Sequence, residues 1–256
     1  CGLRWLLAFV ACAPAPAKTR TCSIVSSAGS LLERRDGKRI DAHDRVARVS
    51  VAPTAGYEKY VGKKTHLRIF PQSFLDARRH HSFAAGLAHA HELLDGDPAG
   101  VIVIWVSNAG CDARAAARRA FELEHPEHRF GVVRMASPHA PEGIEARRAA
   151  AFLRGADLTT GFAAVHLLLA SGFCDEATLY GFGASSKNAS YHYWTWSDDR
   201  TAADDSAAHH FASRVNVSTG HDFALEHSYL RQRAVNKSAA NPVLRCATTP
   251  LAAAIA

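Results

Sequence analysis

The sequence predicts an α/β fold: a single domain with a mostly parallel central sheet flanked by helices. Three observations predict it. Seven short β-type runs alternate with alanine-rich stretches of helical character, the pattern of strands joined by crossover helices. Apolar residues make up 48% of 256, enough for one large core. No internal repeat and no second domain is evident within residues 21–256.

The elements follow in order. The run "CSIV" at Cys22–Val25 leads into the small-residue turn "SSAGS". Further strands are predicted at "RVARVSV" (45–51), "THLRIF" (65–70), "GVIVIWV" (100–106), "FGVVRM" (130–135), "ATLYGF" (177–182) and "NPVLRC" (241–246). Helices are predicted over Phe83–Leu94, Ala113–Leu123, Ile144–Leu153 and Gly161–Ala170. Residues 1–20 stand apart as an apolar terminal segment, "CGLRWLLAFVACAPAPA", whose apolar run is shorter than the roughly 20 residues of a spanning helix. It reads either as a truncated anchor or signal core with a stem remnant, or as a buried terminal segment.

Thirty Lys and Arg against 24 Asp and Glu give a formal charge of +6, which favours an anionic ligand. The basic pairs at Arg34, Arg78, Arg118 and Arg147 fall mostly on predicted helix faces and read as solvated surface, so no nucleic-acid partner is expected. Six cysteines without C-x-x-C spacing argue against a zinc site, and three N-x-S/T sequons, at Asn188, Asn216 and Asn236, lean towards an oxidising lumen. His125 with His128, and His89 with His91, lack a third ligand, and the Asp198 to Asp204 stretch reads as loop charge; no metal is expected.

Ligands of such sheets bind at the carboxyl ends of strands, where turns and helix starts gather backbone N–H groups. Three segments have that character: "SSAGS", "GFGASS" and "DLTTGF". Together they predict a phosphate-bearing ligand. The stretch "YGFGASSKNASYHYW" (180–194) adds a histidine among aromatics, which by itself fits a catalytic group or a packed cluster equally.

Four blocks in order resemble the animal-type sialyltransferases of glycosyltransferase family 29. The long motif resembles "CSIVSSAGSLLERRDGKRIDAHDRVARVSVAPTAGYEKYVGKKT" (Cys22–Thr65), and the short motif "LTTGFAAVHLLLASGFCDEATLYGFG" (Leu158–Gly183). The third is "YHYW" (Tyr191–Trp194), and the last, a His followed five residues later by Glu, is "HDFALE" (His221–Glu226). "PQSF" and "GFGASSK" are similar to the β-galactoside α-2,3 branch.

The resemblance implies a Rossmann-like variant GT-A fold over residues 21–256 and an inverting transfer of sialic acid, or a related acidic sugar such as Kdo, from a CMP-sugar to a glycan hydroxyl on a glycoprotein or glycolipid. It assigns the general base to His221 and stabilisation of the leaving phosphate to His192. Ser27, Gly29, Ser30, Ser50, Thr159, Thr160, Gly161, Gly181, Gly183, Tyr191 and Trp194 would face the donor, with Glu226 supporting its motif and Cys22–Cys174 forming a disulfide. CMP carries one phosphate and offers no diphosphate to clamp, so no cofactor or metal is implied. Location in the Golgi lumen as a single-pass type II membrane protein, anchored through a longer N-terminus, is also implied.

The chain departs from the pattern at three points: Ser27 and Ser50 stand where familiar members carry asparagines, and Asp157 where a tyrosine is common. These departures leave a second reading, a catalytically weak homologue that binds nucleotide or glycan. A third, a dinucleotide-dependent oxidoreductase, is poorly served, since "SSAGSL" is not a G-x-G-x-x-G turn and no ribose-binding acid follows.

Overall fold

The computed structural model describes residues 19–76, 81–107, 114–134, 159–182, 192–194, 223–234 and 243–245. Seven strands form one sheet: β1 (Thr21–Val25), β2 (Arg45–Val49), β3 (Leu67–Pro71), β4 (Ile102–Ser107), β5 (Arg129–Arg134), β6 (Glu176–Tyr180) and β7 (Val243–Arg245). Their order is β5-β4-β3-β2-β1-β6-β7. The first six run parallel, and β7 lies antiparallel along the β6 edge. Each strand falls on a run expected from sequence, and the architecture is the expected mostly parallel α/β sheet.

The helices are α1 (Gly37–Asp41), α2 (Glu58–Val61), α3 (His81–Gly96), α4 (Ala115–Glu124), α5 (Thr160–Ala170) and α6 (Phe223–Arg233), with 3-10 turns at Gly29–Glu33 and Gln72–Asp76. Expected helices at 83–94, 113–123 and 161–170 correspond to α3, α4 and α5. The one at 144–153 lies outside the described residues. The short α1 and α2, and α6, were not expected.

Alternation along the strands builds two cores. On one face Cys22, Ile24, Ala47, Val49 and Ile69 pack with Phe162, Val165 and Leu168 of α5 and with Tyr229 and Leu230 of α6. On the other, Val25, Val46, Phe70 and Trp105 pack with Ile40, Val61, Leu94, Phe121, Tyr193 and Trp194. Arg48 and Arg68, register partners on β2 and β3, are fully buried on this second side. Arg48 donates to the carbonyls of Val61 and Lys64 at 3.0 and 2.7 Å, and Arg68 pairs with Asp97 through Nη2 at 3.0 Å and through Nε. Burial, with the neighbouring Arg68 charge second, pulls the Arg48 guanidinium down to about 10, which still leaves it charged at neutral pH. Among the described residues no helix is long and apolar enough to cross a membrane.

Candidate active site

The sheet order puts a topological switch point between β1 and β6, because the chain runs from β1 to one side and returns with β6 on the other. Open α/β sheets form their ligand crevice at the carboxyl end of such a pair. Val25 and Tyr180, the last residues of the two strands, are register partners there. The turn after β1 is stitched to the turn after β6: Ser26 N–H donates to the Tyr180 carbonyl at 2.9 Å.

Gly181 has φ +77, and a Cβ on it would stand 3.0 Å from Leu31 Cγ and 3.3 Å from Ser26 Cβ. Both the left-handed backbone and the close approach call for glycine. Gly161, in the first turn of α5, faces Phe182, whose Cε1 would lie 3.4 Å from an added Cβ. The described parts of the three N–H-rich turns, Ser26–Ser30, Gly181–Phe182 and Thr159–Phe162, therefore meet at the carboxyl end of the β1–β6 pair, with Gly29 buried and Ser30 half-buried in the 3-10 turn there.

His192 is seated on the first of these turns. Ala28 and His192 form an antiparallel bridge, and Tyr193 N–H donates to the Ser27 carbonyl at 3.1 Å. The Trp194 ring stacks on the imidazole at 4.6 Å and 26° and is itself buried, so Trp194 backs the histidine. Tyr193 is buried too, donates its hydroxyl to the Pro53 carbonyl at 2.6 Å, and meets Tyr57 edge-on at 5.0 Å. Burial pushes its phenol well above the ordinary range, so it stays a protonated donor.

The segment that Tyr193 grips begins at Ser50, which continues β2 with φ +60 while its N–H donates to the Ile69 carbonyl at 2.7 Å. Arg68 Nη1 holds the Ala52 carbonyl of the same segment at 3.0 Å. A buried ion pair and a buried phenol thus fix residues 52 and 53 from two sides.

The start of α5 is closed by Glu226 of α6. Thr159 N–H and Thr159 Oγ1 each donate to a different oxygen of the Glu226 carboxylate, both at 2.7 Å, and Thr159 Oγ1 accepts from Phe162 N–H at 3.0 Å. Glu226 is 3% exposed. A carboxylate at a helix N-terminus satisfies orphan donors and meets the positive end of the helix dipole. With Thr159 engaged this way, the backbone N–H groups of Thr160 and Gly161 are the ones that lack an intrahelical partner at this end.

Cys22 of β1 and Cys174, just before β6, form a disulfide with Cα atoms 5.7 Å apart. It closes a separation of 152 residues and joins the strands that flank the crevice. His221, Gly183 and Tyr191 lie outside the described residues. Far from the crevice, His91 Nδ1 and His125 Nε2 lie 2.8 Å apart. Among the described residues no group of three His, Cys, Asp or Glu is arranged to hold a metal ion.

A family model for glycosyltransferase family 29 (sialyltransferase) matches residues 7–232. The chain belongs to this sialyltransferase family. Among curated relatives, the beta-galactoside alpha-2,6-sialyltransferase 2 of Bos taurus is 43% identical over 84 residues, 33% of this chain and 17% of that protein. The CMP-N-acetylneuraminate-beta-galactosamide-alpha-2,3-sialyltransferase 1 of Sus scrofa is 28% identical over 201 residues, 78% of this chain and 54% of that protein. The alignments thus span from about a sixth to about half the length of these curated relatives. A crystal structure of a mammalian sialyltransferase aligns with 21% identity and a TM-score of 0.46, covering 82% of this chain and 64% of that one.

Proposed function

We propose that this family 29 chain is an inverting glycosyltransferase. It moves sialic acid, or a related acidic sugar such as Kdo, from CMP to a hydroxyl of a terminal galactose on a glycoprotein or glycolipid glycan. The observation that supports this most is the seating of His192 on the Ser27–Ala28 turn, at the carboxyl end of the β1–β6 switch point. A phosphate bound by the N–H groups of that crevice lies next to an imidazole that can donate to it.

In the reaction, the acceptor oxygen forms a bond to the anomeric carbon as the bond from that carbon to the phosphate oxygen breaks. His221 takes the acceptor proton, a contribution of typically ~10²–10⁴-fold from a positioned base. CMP leaves with the electron pair, and His192 donates a hydrogen bond to the charge that develops on its phosphate. No metal takes part, because a single phosphate can be held by backbone N–H groups and histidine. The enzyme works in the Golgi lumen, held to the membrane by an N-terminal anchor in a longer chain.

A specific observation favours a second reading, a weakly active homologue that binds CMP. Ser50 sits in a left-handed conformation, where asparagine is the better-suited residue. A screen of CMP-sialic acid and CMP-Kdo against galactose-terminated acceptors separates the two. Acceptor-dependent CMP release supports the transferase; CMP binding without release under every pairing supports the weak homologue. His221→Ala is expected to abolish transfer while CMP affinity stays within about threefold, and retained turnover would remove His221 from the mechanism.

A further inference from the structure

His43 follows α1 and plays no part in the chemistry above, yet its ring touches three elements. Nδ1 is 2.9 Å from the Arg39 carbonyl of α1 and 2.8 Å from Ser23 Oγ of β1; Nε2 is 3.1 Å from Thr178 Oγ1 of β6. A carbonyl oxygen only accepts, so Nδ1 carries a proton. Ser23 Oγ donates its own proton to the Ile40 carbonyl at 3.0 Å, and therefore it too accepts from Nδ1. In the neutral ring Nε2 is then the acceptor, and the Thr178 hydroxyl donates to it. The imidazole also stands edge-on to Tyr180, with ring centroids 6.0 Å apart at 86°.

Ser23 and Thr178 are register partners, and the strands end two residues further on, at Val25 and Tyr180. We infer that His43, held as the Nδ1–H tautomer, is a positioning residue for the donor site. It ties α1, β1 and β6 together directly beneath the crevice and fixes the spacing between the "SSAGS" turn and Gly181. What the crevice holds rests on the transferase reading; the tautomer and the tie between strands rest on the hydrogen bonds alone.

Two measurements on the whole chain test this. Nitrogen-15 spectra of histidine-labelled protein, recorded at a pH where the ring is neutral, should show a protonated Nδ1 and an unprotonated Nε2 at His43; the reverse tautomer would overturn the inference. Calorimetric CMP binding is then compared for the unaltered protein, His43→Asn, Thr178→Val, and the double variant, with thermal melts to verify folding. His43→Asn keeps a donor near the Nδ1 position and loses the reach to Thr178. Each single change should weaken CMP binding about three- to tenfold, and the double change no more than either alone. Thr178→Ser, which retains the hydroxyl, should restore affinity. Lowered melting with unchanged CMP affinity, or effects that multiply in the double variant, would overturn the positioning role. An unaltered protein that binds no CMP would instead defeat the transferase reading, and the nitrogen shifts would still decide the tautomer.

Discussion

Glu226 on α6 receives both polar hydrogens of Thr159, so the last motif of the chain caps the helix that opens the short motif 67 residues earlier. Hydrogen bonds to a buried charge are each worth about 1.5–3 kcal/mol, and a helix start fixed this way presents Thr160 and Gly161 at a constant position. Glu226→Ala should therefore lower the melting temperature and weaken CMP binding by about tenfold or more. Adding Thr159→Val to that variant should cost little further. Independent, additive losses in melting and binding would show that the two residues do not act as a pair.

Ser50 occupies φ +60, a region that costs most L-residues about 1–2 kcal/mol and that asparagine enters several-fold more readily. Ser50→Asn should stabilise the protein by about 0.5–1 kcal/mol, a rise of about 1–4 °C in melting temperature. It should also tighten CMP binding, since an amide offers a donor and an acceptor at longer reach. Calorimetry and melting on this single variant check both effects.

His227, next to Glu226, is pulled down to about 4 by burial, with the Arg231 charge second. Its folded value lies below that of the unfolded chain, about 6.5, so the unfolded state takes up the proton first as pH falls. The stabilisation from a neutral His227 is thus complete above about pH 6.5 and is lost progressively between there and pH 4. Melting curves between pH 7.5 and 5 should show this decline, and His227→Gln should flatten it. An unchanged slope in the variant would place the acid sensitivity elsewhere.

Chelation offers a simple check on the role given to histidine and backbone N–H groups. Transfer in excess EDTA should proceed at the untreated rate. Strong inhibition reversed by added divalent ion would require a metal in the site.

The sheet was legible because each strand is a short apolar run between turn signals, and a buried parallel sheet needs little else. The convergence of "SSAGS", Gly161 and Gly181 was also legible, because the glycines mark where backbones come close. The helix α6 was not, since "FALEHSYLRQR" places its polar residues Glu226, His227, Ser228, Arg231 and Gln232 around the helix and leaves no clean apolar stripe. Nor were the contacts that fix the site from behind. Tyr193 with Pro53 is a bond across 140 residues, and Arg68 with Asp97 joins the strand that follows the long motif to the loop after α3, neither of which belongs to that motif. Periodicity reports which face a residue takes, not which distant partner waits there. His43 illustrates the same limit: a histidine in "IDAHD" carries no sign of Thr178, which lies 135 residues further along.

Whether His192 acts on the departing phosphate from its seat on the first turn is decided by one comparison. Steady-state CMP release from CMP-sialic acid, with a galactose-terminated acceptor, is measured for the unaltered protein and for His192→Ala, alongside CMP affinity. In the variant kcat should be lower by about 10²–10³-fold, with CMP affinity within about threefold, because the lost bond strengthens only as charge develops. Equal kcat in the two proteins, or a loss confined to CMP affinity, would contradict it.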